Sequence, residues 1–127
     1  MPPRPDEIVA RARELIGTRF RPQGRTAAEG LDCIGLAALA IDAGTVRRDY
    51  ALRGSASDRL VEGLKAAGLG AAASMAPGDV LVLAPGPAQL HLGIFTGTGL
   101  VHGDAGLRRV VERPLPLPWP ILGIWRF

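Results

Sequence analysis

Hydrophobic periodicity changes once along this chain, near residue 77, and that change constrains the fold more than any other feature. Before it, apolar residues recur at helical spacing three times. Asp6 can cap a first helix running to about Ile16, with Ile8, Val9, Ala12, Leu15 and Ile16 on one face and Gly17 ending it. Asp32 can cap a second helix from Cys33 to about Ala43, stopped by Gly44. That segment is apolar nearly all round, which predicts central burial. A third helix is expected over about 57–67, with Ser55 and Asp58 forming a capping-box pattern ahead of it. Beyond Pro77 the pattern shortens, and strands are expected over 79–83, 90–96, 99–103, 107–112 and 122–127. Three helices followed by about five short strands predict an α+β fold with an antiparallel sheet.

Two stretches read as irregular. Residues 17–31 hold Gly17, Pro22, Gly24 and Gly30, and predict a loop. Pro114, Pro116, Pro118 and Pro120 alternate with Leu115, Leu117 and Trp119, giving an extended connection that cannot be a central strand. The stretch from Leu115 to Trp119 reads either as a surface connection or as a pre-extended docking surface.

With 127 residues the chain is expected to form one domain, spanning 1–127. One cysteine excludes an intramolecular disulfide and gives too few soft ligands for a structural zinc, so neither a metal nor a cofactor is expected. No apolar run approaches the roughly 20 residues that span a bilayer, so no membrane insertion is expected. The N-terminal stretch lacks an apolar signal core, which predicts synthesis in the cytoplasm without a signal peptide. Net charge is +3, yet the arginines are scattered, only Lys65 is a lysine, and no aromatics interleave with them. Nucleic acid is therefore not expected as a partner.

Chemistry gathers around Cys33, the lone cysteine, where a glycine-punctuated loop turns into the buried helix. Backbone N–H groups and the helix dipole at such a terminus favour thiolate, predicting a pKa below the ordinary value of roughly 8.5. A lone cysteine with a distant histidine and a third polar group outlines a thiol nucleophile with base and orienter. His91 lies on one expected strand and His102 on the next. Alternation puts His91, Gly93 and Phe95 on one face, with Gly93 predicted to leave open space beside His91. A two-residue turn at Gly97-Thr98 pairs Gly93 with His102 and His91 with Asp104. His102 then shares the face of His91, and Asp104 is an alternative third member. A three-residue turn would throw His102 to the opposite face. Gln23, in the loop before the nucleophile, is a candidate oxyanion donor alongside the Cys33 backbone N–H. Asp32 reads chiefly as the helix cap.

Five motifs in order resemble one family: Ile16-Gly17-Thr18-Arg19-Phe20, Asp32-Cys33-Ile34-Gly35-Leu36, Pro77-Gly78-Asp79-Val80, His91-Leu92-Gly93-Ile94-Phe95 and Val101-His102. Together they are similar to the NlpC-type cell-wall peptidases, a circularly permuted, papain-like group that cleaves peptidoglycan stem peptides. The resemblance covers about residues 8–127. It implies a papain-like fold, with the nucleophile at a helix N-terminus packed on the sheet. It also implies Cys33 as nucleophile, His91 as base and His102 as third member, with Phe20, Gln23 and Asp32 lining the oxyanion or substrate site. Phe20 stands where the family has tyrosine, Ile34 where it has serine, and Pro22-Gln23-Gly24 where it has Trp-Gly-Gly. The compact form resembles the peptidases carried in tails of phages and gene transfer agents, which implies tail or baseplate partners and action from a particle on the cell wall. An inactive tail module and a thiol amidase or acyltransferase are the alternative expectations.

Overall fold

The computed structural model describes residues 1–44 and 57–127. Helix α1, Pro5–Glu14, starts one residue before the expected cap. Pro5 takes the first helical position, where its fixed φ fits and its missing N–H costs nothing. Glu7 Oε1 accepts the Arg4 backbone N–H at 3.0 Å. Asp6 therefore lies inside the first turn rather than capping it. Leu15 forms the C-cap, and Gly17, at φ 92°, turns the chain out of the helix.

The expected loop contains a two-stranded hairpin, β1 Arg25–Thr26 and β2 Gly30–Leu31. Helix α2, Cys33–Ile41, follows at once and ends at Asp42 in the left-handed region. Its burial nearly all round matches its composition: Leu36 and Ala40 are fully inaccessible. Helix α3, Ser57–Ala66, lies close to expectation, while the capping role of Ser55 falls outside the described residues. Among the described residues no helix is long and apolar enough to cross a membrane.

The main sheet has six strands: β3 Gly70–Ala71, β4 Val80–Leu83, β5 His91–Phe95, β6 Gly99–Asp104, β7 Arg109–Pro114 and β8 Ile121–Arg126. Their spatial order is β3-β8-β4-β5-β6-β7, with every pairing antiparallel. Pro114 closes β7 on the sheet edge, where a missing N–H breaks no ladder bond. The first residues of the expected loop cover that edge, because Gly17 N donates to Val110 O and Val110 N to Thr18 O, each at 2.8 Å.

Strand alternation divides the core. Val80, Val82, Leu92, Ile94, Val101 and Trp125 pack against Ile8, Ala12, Leu36 and Ala40 of the helices. On the other face Leu81, Leu83, Phe95 and Leu100 are covered by Leu117, Trp119 and Ile124. The proline-rich connection thus folds back onto the sheet through Leu117 and Trp119, while Leu115, Pro116 and Pro118 stay exposed. It carries a cis Leu115–Pro116 bond.

The β5–β6 turn is the two-residue form. Gly97 takes φ 99°, Thr96 N donates to Gly99 O at 2.9 Å, and Ile94 pairs with Val101 and Phe95 with Leu100. One expectation about this hairpin fails. A Cβ on Gly93 would lie 2.6 Å from Leu100 Cδ1, so the volume beside Gly93 belongs to Leu100 and is not open.

Candidate active site

Helix α2 begins where β5 begins, and a cavity of about 600 Å³ opens there. Cys33, His91, His102, Asp104, Phe20, Gln23 and Asp32 all line it, together with Trp119 and Gln89. Every candidate residue is therefore in one place, although the reasons differ.

Asp32 is 4% exposed and serves as the brace of the site. Its Oδ1 accepts the Gly35 N–H at 2.8 Å as the helix cap, and its Oδ2 accepts the Gln23 N–H at 2.9 Å. Arg25 Nη1 donates to Oδ1 at 3.1 Å. One carboxylate thus ties the 23–25 loop to the first turn of α2. Gly35 permits that closeness, since a Cβ there would overlap the Gly24 carbonyl oxygen. Gln23, held at φ 59°, presents an exposed side chain at the cavity rim. Gly103 on β6 brings that strand against the nucleophile segment. A Cβ there would meet Phe20 Cδ2 at 3.3 Å and Cys33 N at 3.8 Å.

Cys33 is 2% exposed. Burial pushes its thiol up to about 12, and the Asp32 charge adds to that, while the backbone N–H groups of Leu92, Cys33 and Ile34 pull the other way. The acidic thiol expected from the helix terminus is therefore not the resting state. His91 is pushed down to about 4, first by burial and then by neighbouring His102, against the raising influence of Asp104. His102, 2% exposed, is also lowered, chiefly by burial. At neutral pH the thiol and both imidazoles are uncharged.

The two rings are joined. His91 Nε2 and His102 Nδ1 lie 2.9 Å apart, which leaves Nδ1 as the other ring nitrogen of His91. Asp104 Oδ1 accepts the Leu107 N–H at 2.9 Å and reaches both imidazoles as charge alone. Of the two candidates for third member, His102 is the one whose ring lies within hydrogen-bond distance of His91.

Trp119 is the site residue that sequence reasoning missed. It meets His91 at 5.5 Å between ring centroids and His102 at 5.3 Å, nearly perpendicular to each. The Arg113 guanidinium carbon lies 5.3 Å from the indole centroid. The only available signal was a tryptophan held between two prolines.

Comparison with known proteins agrees with this fold. The NlpC1 structure from Trichomonas vaginalis superposes with a TM-score of 0.65 at 17% identity, over 97% of this chain and 45% of that one. The NlpC/p60 domain of the peptidoglycan hydrolase SagA superposes with a TM-score of 0.58 at 20% identity, over 88% of this chain and 90% of that domain. The fold is papain-like. This chain thus spans under half the length of the Trichomonas protein. No protein-family model and no curated protein sequence matches the chain.

Proposed function

We propose that this chain is a cysteine peptidase that cleaves stem peptides of peptidoglycan. The observation that carries the reading is the 2.9 Å His91–His102 contact inside the cavity that Cys33 lines at the start of α2. Fold likeness to the domain of a peptidoglycan hydrolase supports the substrate class. In this reading Cys33 Sγ attacks a peptide carbonyl as its proton passes to His91 Nδ1. The Cys33 N–H and the Gln23 side chain receive the oxyanion. The carbon–nitrogen bond then breaks, the leaving amine takes the proton from His91, and water hydrolyses the thioester. His102 holds the His91 ring in place throughout. Because thiol and imidazole rest uncharged, proton transfer accompanies attack instead of preceding it.

A second reading has one observation in its favour. The same burial that raises the Cys33 thiol suits an inactive module of the same fold. Digestion of purified cell walls, with released muropeptides identified by mass spectrometry, decides between them. The peptidase reading requires new amino termini within stem peptides. It also requires a loss of about a thousandfold or more in both Cys33→Ala and His91→Ala, and a smaller one in His102→Ala. Release of intact stems from the glycan would instead assign an amidase, and no release at all the inactive module.

Sequence resemblance to tail-borne peptidases supports a further element of the proposal, that the chain acts from a phage-like particle. Mass spectrometry of particles purified from the source cells tests this. Its absence from particles that contain their other tail proteins would refute the location and leave the thiol chemistry intact.

A further inference from the structure

The arginines of this chain divide by what answers their charge. Arg4, Arg13, Arg21, Arg25 and Arg126 each form an ion pair with a carboxylate. Among the described residues Arg19, Arg108, Arg109 and Arg113 form none, and these four lie along one edge of the sheet. Arg109 and Arg113 sit on β7, the outer strand, and Arg108 precedes it. Arg19 comes from the segment that covers that strand. Arg19 and Arg109 are antiparallel bridge partners, and Phe20 N donates to Arg108 O at 2.9 Å.

Two cations directly opposite each other across such a bridge repel, with Cα atoms about 5 Å apart. The carboxylates of this region do not relieve the repulsion. Asp104 stands across the β6–β7 ladder from Arg109, yet its Oδ1 accepts the Leu107 N–H and it makes no ion pair with Arg109. Glu112 is held by Arg13 and Thr96. Glu29 pairs with Arg21 and gives Arg19 only its carbonyl oxygen, at 2.6 Å. Arg109 Nε likewise reaches only the Leu107 carbonyl, at 3.4 Å. These carbonyls accept hydrogen bonds and leave the charges standing.

Strand register sets where the row lies. Leu100 pairs with Arg113, His102 with Val111 and Asp104 with Arg109. Arg109 and Arg113 therefore share the face of His102 and Asp104, two residues that line the cavity. They stand one strand away, about 5 Å at the backbone, and about 14 Å from each other. At one end of the row the Arg113 guanidinium carbon lies 5.3 Å from the centroid of Trp119, another cavity residue, and after burial its charge helps to lower His102. At the other end Arg19 and Arg108, both exposed, flank Phe20 of the cavity wall. The cavity itself is lined by no lysine or arginine. An anion held by this row thus belongs to a molecule that runs past the cavity, not to the group inside it.

We propose that Arg19, Arg108, Arg109 and Arg113 form a docking row for the carboxylates of acidic peptides, holding neighbouring stem peptides of the wall beside the cavity. The identity of that peptide rests on the peptidase reading; the unanswered charge does not. A planar guanidinium takes a carboxylate through two parallel hydrogen bonds, and every stem peptide ends in a carboxylate. Several cations at fixed spacing favour a polymer with repeated anions over one small anion.

Co-sedimentation with purified walls tests the row, using Cys33→Ala so that no wall is digested. The walls are first stripped of phosphate-containing polymers, which leaves carboxylates as their anions. The protein is expected to bind them and to lose about tenfold or more in affinity as NaCl rises from about 50 to about 300 mM. Converting the wall carboxylates to neutral amides, with a carbodiimide and an amine, should abolish binding with the row itself untouched. Arg108→Glu combined with Arg109→Glu should weaken binding about tenfold or more. Arg59→Glu combined with Lys65→Glu makes the same change in net charge at exposed positions of α3 and should leave binding unaltered. Equal losses in the two double variants would overturn the proposal, because net charge alone would then explain the binding. Undiminished binding to amidated walls would overturn it as well. So would binding only to walls that keep their phosphate polymers, which would assign the row to phosphodiesters. Salt-sensitive, carboxylate-dependent binding by a chain whose wild type cleaves no wall would refute the peptidase reading and leave the row standing.

Discussion

At Cys33 two influences oppose each other, and their relative size sets how the site must be triggered. Three backbone N–H groups favour thiolate, while removal from water and the Asp32 charge favour thiol, and desolvation is the largest of these. His91 is displaced in the complementary direction, to about 4. On the peptidase reading, the base is therefore ready, as neutral imidazole, down to unusually acid pH. Activity on cell walls should hold as pH falls through 6.5, the ordinary histidine value, and fail near 4. Asp104 raises His91, so Asp104→Asn should move that acid limb still lower. A limb near 6.5 that Asp104→Asn leaves in place would show that His91 is not held as described. The same balance predicts slow alkylation of Cys33 by iodoacetamide at pH 7, with the rate rising only in alkaline solution. A rate that levels off below pH 7 would mean a preformed thiolate and would contradict a neutral resting pair.

Helix α2 and the loop before it act as one element, because Asp32 bonds to both and Gly35 lets them touch. Asp32→Ala should lower unfolding free energy by about 1–2 kcal/mol through loss of the cap. Gly35→Ala should cost more, since the new methyl overlaps backbone at Gly24 and not a yielding side chain. Urea denaturation of both variants checks the order, and equal or reversed losses would separate the loop from the helix. The start of α2 was legible in sequence because an Asp followed by a long apolar run speaks locally. The start of α1 was misread by one residue, where Pro5 prevailed over Asp6. Strands β1, β2 and β3 were not legible, because two residues carry no period. That His91 and His102 share a face followed from the two-residue turn at Gly97-Thr98. Trp119 could not be placed, because alternating prolines announce an extended chain but not the surface it folds onto. Nor could the filling of the Gly93 volume, which depends on the rotamer of Leu100 across the hairpin.

For the whole molecule, the buried neutral site makes stability a function of pH on both sides of a plateau. His91 has a folded-state value of about 4 against 6.5 when unfolded, so below 6.5 the unfolded chain binds a proton that the folded protein refuses. Stability should fall as pH drops from about 6.5 to about 4, by about 3 kcal/mol for this partly buried group, and His102 should add to the fall in the same direction. Cys33 works in reverse. Its thiol ionises at 9.0 when unfolded but only at about 12 when folded, so stability is full below 9.0 and is lost as pH rises toward 12. The carboxylates enter later on the acid side. Glu112, held below its usual 4.5 by Arg13 and Thr96, contributes stability that is lost only below that value. The acid decline between 6.5 and 4.5 therefore belongs to the histidines and can be isolated. Urea denaturation at pH 7.5, 6, 5 and 4.5, on wild type and on His91→Gln, measures it. The wild type should lose stability across that range, and the variant should lose clearly less. Parallel curves for the two proteins would mean that His91 is not buried neutral in the folded state, which would remove the basis for a low acid limit of activity.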